Sequence, residues 1–302
     1  MALKFRLLND VAFHFVFGRA SRKYNLLNLL NAILTKTGQE PIQDLELQET
    51  TLDAEIVGLK SCRLDIRAIT SESHHINVEV QLMNRRDMEK RSLYYSSRLY
   101  TTQLNRGENY RELNKTIAIN ILDFARPTGT KFHSIYKLLE IETGEQLTDA
   151  LEIHFLELPR LKENPMNFDC PLTRWMMVLS DDTDHKDREA ILMQDEDIRR
   201  AYEDLGRLSA DKDTQRLYEI REDAARDYRS GMDDARQEGL EQGLEKGLEQ
   251  GLEKGRQEGS FQEKLRMVKR MLAEGLDEEL IKKTAELTQA ELDELKQAFS
   301  TD

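Results

Sequence analysis

The sequence predicts an α/β domain reaching to about Ser180, followed by an appendage made only of helices. Three observations predict this. Strand-like and helix-like segments interleave as far as Leu158, whereas every periodic segment from Pro171 onward is helical. The stretch RLDIRAITSESHHINVEVQL (residues 63–82) alternates apolar and polar residues on either side of a polar turn, which is the pattern of a β-hairpin. TIAINILDF (residues 116–124) is a continuous apolar run, as expected of a strand buried on both faces.

The elements follow in chain order. Asn9 or Asp10 can cap a short helix that runs to Gly18, with Phe13 and Phe17 four apart on one side. Tyr24 to Leu34 is a strongly apolar helix ended by KTG, and the pattern turns to strands over residues 42–59. After the hairpin, residues 86–104 contain no Pro or Gly and read as a helix. Pro127 and Gly129 end the buried strand. Two more strands flank a turn at Thr143–Glu145, and Pro159 ends the second. The remaining chain is helical, and it includes GLEQGLEKGLEQGLEKGRQEG (residues 239–259), with six glycines at a spacing of four.

The chain has 302 residues, 39% hydrophobic and 33% charged, so a genuine core coexists with a very polar remainder. The net charge of -13 is uneven. Residues 1–130 hold 18 Lys and Arg against 15 Asp and Glu, while residues 131–302 hold 26 against 42. The first part is therefore slightly basic, and residues 82–115 alone hold eight basic residues against four acids. Cys62 and Cys170 form neither a disulfide framework nor a metal-knuckle spacing, so a reducing, cytoplasmic setting is expected. No leader segment is expected from the N-terminal residues. No apolar run is long enough for a membrane span.

Asp65 and Glu79 raise the chemical question. If residue numbers across the hairpin sum to 144, Asp65 faces Glu79; if they sum to 146, the two are diagonal neighbours. Either way the Cβ atoms lie roughly 5–8 Å apart. Like charges facing each other on a sheet are unfavourable, and a divalent cation would offset them, with Mg²⁺ or Mn²⁺ suiting two hard carboxylates. The plainer reading is a solvated polar face on which Arg67 pairs with one or both acids. From spacing alone that reading is the more common one.

Asp65, thirteen intervening residues and then Glu79-Val80-Gln81 inside apolar strands resemble the PD-(D/E)XK nuclease superfamily. The blocks NDVAFHFVFG, LDIRAI, INVEVQL, KRSLYYSSRLYTTQLNRGENYRELNKTIAINILDF and LEIHFLELPRL are together similar to the Rpn family of recombination-promoting nucleases, also described as transposases. The resemblance spans roughly residues 8–180. It implies a restriction-endonuclease-like mixed sheet flanked by helices and Mg²⁺-dependent endonucleolytic cleavage of DNA. It also implies metal ligation by Asp65, Glu79 and the Val80 carbonyl, with Asp10 as a further candidate beside its reading as a helix cap. Gln81 stands where the family motif holds Lys and lacks the charge that would stabilise a pentacoordinate phosphate. Arg85, Arg86, Lys90 and Lys60 are the nearby cations that could stand in. His14 also departs from the family pattern, which often has Lys there.

Arg91, Tyr95, Arg98 and Thr102 recur at intervals of four, three and four, forming one helical stripe with Tyr94 beside it. With Arg85 and Arg86 this is a candidate DNA-tracking face. The alternative is a helix packed on the sheet by Leu93, Tyr94 and Leu104 with arginines at its edge. His74 and His75 suit a solvated turn, and His133 and His154 a structural role. Ser21, Ser61 and Ser96 have no accompanying base, so Ser-hydrolase chemistry has no support.

The expected organisation is a nuclease-like domain over residues 1–180 and a helical extension over 181–230. The Gly-Leu-Glu repeat over 231–260 follows as helix or spacer, then a small helical segment over 261–302. The C-terminal helices are candidates for homo-oligomer formation. The leading functional expectation is a Mg²⁺- or Mn²⁺-dependent DNA endonuclease. The alternatives are a catalytically weak or inactive member that binds nucleic acid, and an interaction protein acting through its helical tail.

Overall fold

The structure is a computed structural model that describes residues 5–52, 62–63, 65–84, 86–163, 167–180 and 182–299. The expected candidates Lys60 and Arg85 lie outside the described residues.

Helix α1 (Asp10–Phe17) starts at Asn9, whose side chain accepts from the N–H groups of Val11 and Ala12 at 2.9 and 3.3 Å. Asn9 is therefore the cap and Asp10 is the first helical residue. Phe13 and Phe17 are fully buried, with ring centroids 4.6 Å apart. Helix α2 (Lys23–Leu34) buries Leu26, Leu29, Leu30 and Ile33, the i, i+3, i+4, i+7 face of an amphipathic helix.

Strands β1 (Leu45–Gln48), β2 (Thr51–Leu52), β3 (Cys62–Arg63), β4 (Ile66–Thr70) and β5 (His75–Gln81) come next, followed by helix α3 (Met88–Thr101). Then come β6 (Thr116–Leu122), β7 (His133–Leu139) and β8 (Gln146–Glu157). Among the described residues, six strands form one mixed sheet in the order β1-β4-β5-β6-β8-β7, and β2 pairs with β3 separately. The β5-β6 and β6-β8 pairs are parallel and the others antiparallel.

The two faces of the sheet carry different cores. Ile117, Ile119 and Ile121 of β6 join the large cluster that contains α1 and α2. Ala118 and Leu122 point the other way, into a smaller cluster with Met88 of α3, Ile153 and Phe155. Every residue of β6 is buried, as expected of a mostly apolar strand covered on both faces, and its polar Asn120 is satisfied by Ser92 Oγ and the His154 carbonyl.

Helices α4 (Pro171–Leu179), α5 (His185–Gln194) and α6 (Glu196–Gly206) precede the long α7 (Lys212–Ala273), α8 (Glu278–Thr284) and α9 (Gln289–Phe299). Ile191, Ile198, Leu205 and Tyr218 belong to the same core as α1 and α2. The chain accordingly divides into two compact units, Met1–Arg226 and Asp227–Asp302, the first taking in most of the segment expected as an extension over 181–230. Within the second unit, Val268, Ile281, Leu287, Leu292 and Leu295 form a separate small core. The glycine repeat is continuous helix within α7.

Two local expectations are corrected. Leu93 is 51% exposed and Tyr94 38%; α3 instead faces the sheet through Met88, Ser92, Ser96 and Leu99. Small serines let the helix axis come close, and their hydroxyls meet polar partners. Asn120 Nδ2 donates to Ser92 Oγ at 2.9 Å, and Ser96 Oγ donates to the Ser92 carbonyl at 2.7 Å. The second correction concerns β5. It alternates in sequence but is buried on both faces, because α3 covers the side that bears Asn77 and Glu79.

Candidate active site

The hairpin register decides which residues meet. Ile66 pairs with Val78 and Arg67 with Asn77, the register whose numbers sum to 144. Asp65 precedes the first residue of β4 rather than lying within the strand, and it meets β5 at the Glu79 side chain and the Val80 backbone. The Val80 N–H donates to Asp65 Oδ2 at 2.8 Å, and the Asp65 N–H donates to Glu79 Oε1 at 3.4 Å. The part of Val80 that meets Asp65 is thus its N–H.

Glu79 is 1% exposed, so the solvated-face expectation does not hold for it. Asn77 Nδ2 donates to Oε1 at 3.4 Å and Gln81 Nε2 to Oε2 at 3.5 Å. Arg91 reaches down from α3, its Nη2 3.3 Å from Glu79 Oε2. Burial foremost, then the adjacent Asp65 carboxylate, pushes the Glu79 pKa up to about 8, partly offset by Arg91 and by donors from Asn77 and Asp65.

Arg91 also donates from Nη1 to Gln81 Oε1 at 3.3 Å, and its guanidinium lies 5.1 Å from the centroid of the Tyr95 ring. The cation beside Gln81 is therefore Arg91, which the sequence had placed on a DNA-tracking stripe. Lys90 and Arg86 are exposed. The missed signal is the ten-residue step from the end of β5 to the first turn of α3, which returns one side chain over the strand it has just left.

Two buried polar atoms at the site have no hydrogen-bond partner among the described residues: Asn77 Oδ1 and Arg91 Nε. Of the two, only Asn77 Oδ1 is an acceptor, and two carboxylates with that free oxygen beside them fit a hard divalent cation that keeps part of its water shell. Asp10 is not brought to the pair. It sits at the start of α1, half-exposed, 3.3 Å from Arg221. Among the described residues no cluster of three or more His, Cys, Asp or Glu suited to a metal ion occurs.

Of the other predicted contacts, Tyr95 lies against Arg91, and Arg98 stands two turns further along α3, half-buried. Arg86, with φ of 59°, lines a cavity of about 510 Å³ together with Asn84, Glu89, Arg126 and Thr128. His133 and His154 lie well apart from the acids in sequence. His133 Nε2 and His154 Nδ1 are 2.9 Å apart, and His154 Nε2 is 2.6 Å from Glu152 Oε1.

Residues 7–235 match a family model described as PD-(D/E)XK nuclease family transposase. No curated protein and no solved structure matches the chain.

Proposed function

The chain belongs to the PD-(D/E)XK nuclease family transposases, and from that premise we propose that it is a divalent-metal-dependent DNA endonuclease whose centre is Asp65, Glu79, Gln81 and Arg91. The observation that carries the reading is the Asp65–Glu79 pair, with Glu79 buried beneath a guanidinium. Asp65 and Glu79 would hold the cation, Mg²⁺ or Mn²⁺, with the Val80 carbonyl as a third donor. Such an ion, when bound, lowers the pKa of a water and polarises a phosphoryl oxygen.

The chain's own groups do the rest. Val80 N–H holds the Asp65 carboxylate in place, which fixes one donor before substrate arrives. Gln81 is uncharged, so it serves as a hydrogen-bonding bridge, and the positive charge comes from Arg91. A guanidinium presents two parallel donors and matches a phosphate edge as readily as a carboxylate edge. Arg86, Tyr95 and Arg98 supply contacts to the DNA backbone and bases, with Arg85 a further contact on the sequence alone. The reaction is phosphodiester hydrolysis by water. A cytoplasmic setting fits a DNA substrate and the free thiol of Cys170.

A plasmid-nicking assay with Mg²⁺ or Mn²⁺ tests the reading. Nicking by the wild type that is lost in Glu79→Gln supports it. Absence of nicking together with salt-dependent DNA binding would leave a member that binds without cutting, as the uncharged Gln81 would allow.

A further inference from the structure

Residues 239–259 are uninterrupted helix within α7, and two of their features meet nothing among the described residues. Leu240, Leu244, Leu248 and Leu252 are 59–76% exposed. A Cβ added at Gly239, Gly243, Gly247, Gly251, Gly255 or Gly259 would meet no atom of the described residues within 4 Å. Glycine weakens a helix interior relative to alanine, and here no neighbour among the described residues requires the space. An open groove beside an exposed leucine ridge is what a second helix at very short distance needs.

We propose that this segment pairs with the same segment of a second copy of the chain, in parallel, the leucine ridge of each lying in the glycine groove of the other. A spacing of four places each residue type on one i±4 ridge. Packing two such ridge systems together gives a crossing of roughly -50°. A repeat longer than the helical turn of about 3.6 residues biases the pair toward a right-handed crossing.

The charge pattern selects both the occupant and its direction. Successive residues turn by about 100°, so the ridges run Gln or Lys, then Gly, then Leu, then Glu around the helix. A two-fold axis parallel to the helices sets glycine of one copy against leucine of the other. It also sets the glutamate flank of each copy against the Gln/Lys flank of its partner. Same-numbered residues lie level about such an axis, so Glu245 faces Lys246 of the second copy and Glu253 faces Lys254, each one residue further along. An antiparallel pair would set leucine against leucine and glutamate against glutamate. The surface is self-complementary in one direction only, as an isologous interface requires. This inference is independent of the nuclease reading.

The test uses the full chain in sedimentation velocity at micromolar concentration. A dimeric wild type is expected. The triple substitution Gly243→Leu, Gly247→Leu, Gly251→Leu fills the groove while favouring helix. It should weaken association at least tenfold, with helicity by circular dichroism equal or higher. Leu244→Cys and Leu252→Cys should each cross-link to themselves with a short bismaleimide, above the background from Cys62 and Cys170. A monomeric wild type, undiminished association of the triple variant, or cross-linking only when the two cysteine variants are mixed would overturn the proposal.

Discussion

Arg91 holds Gln81 and Glu79 with one guanidinium: Nη1 lies 3.3 Å from Gln81 Oε1, and Nη2 lies 3.3 Å from Glu79 Oε2. The first is on α3 and the other two end β5, so helix packing brings a cation to a strand that carries none. A neutral amide at position 81 is then compatible with a charged site.

Arg91→Ala should lower metal-dependent nicking by on the order of 100-fold, the scale of losing one donor to a developing oxyanion. Gln81→Lys alone should not raise the rate, since it sets a second cation against Arg91. Combined with Arg91→Ala it should recover part of the loss. A faster Gln81→Lys single variant would show that Arg91 does not supply the charge.

Asp65→Asn and Glu79→Gln should each abolish nicking while the fold persists. For Glu79 the stability effect has a definite sign. Its folded pKa of about 8 lies above the ordinary 4.5, so between those values the native state holds a proton that the unfolded state lacks. That contribution is complete below pH 4.5 and is lost as pH rises through about 8. The melting temperature of Glu79→Gln relative to wild type should therefore be higher at about pH 9 than at about pH 5. Equal differences at both values would show that Glu79 is not held protonated.

His133 provides an opposite pH signature elsewhere in the sheet. Burial, then the neighbouring His154, lowers its pKa to about 4, against a smaller raising effect of Glu152. Between pH 6.5 and about 4 the unfolded chain binds a proton that the native state refuses, so stability falls as pH drops through that window. The loss is on the order of 2 kcal/mol, after allowance for partial exposure. Thermal melts of His133→Gln should show a flatter profile over the window than wild type; parallel profiles would remove His133 as the cause.

DNA affinity should depend on Arg86 and Arg98 through phosphate contacts. Replacing both by Ala should weaken binding similarly for unrelated sequences and reduce the salt slope by about two units. A salt dependence matching wild type would make both residues structural.

The local pattern of the chain determined a good deal by itself. Period-two alternation and a polar turn defined the β4–β5 hairpin and limited it to two registers, one of which is observed. The predominantly apolar run defined β6 as a doubly covered strand, and the ordered blocks around Asp65 and Glu79 carried the family. These are properties of neighbouring residues, where side-chain period and turn chemistry act directly.

The tertiary structure decided what lies over the acids. Glu79 has the spacing of a solvated residue, yet it is buried because α3 packs on that face through Ser92, Ser96 and Leu99 rather than through its larger Leu93. Arg91 fits a DNA-facing stripe equally well until that packing turns it inward. The first compact unit likewise extends to Arg226 because Tyr218 of α7 stacks edge-on against Phe5, at 5.1 Å. Which face of a helix is covered depends on partners distant in sequence, and burial then sets the charge state of Glu79. No local period encodes that.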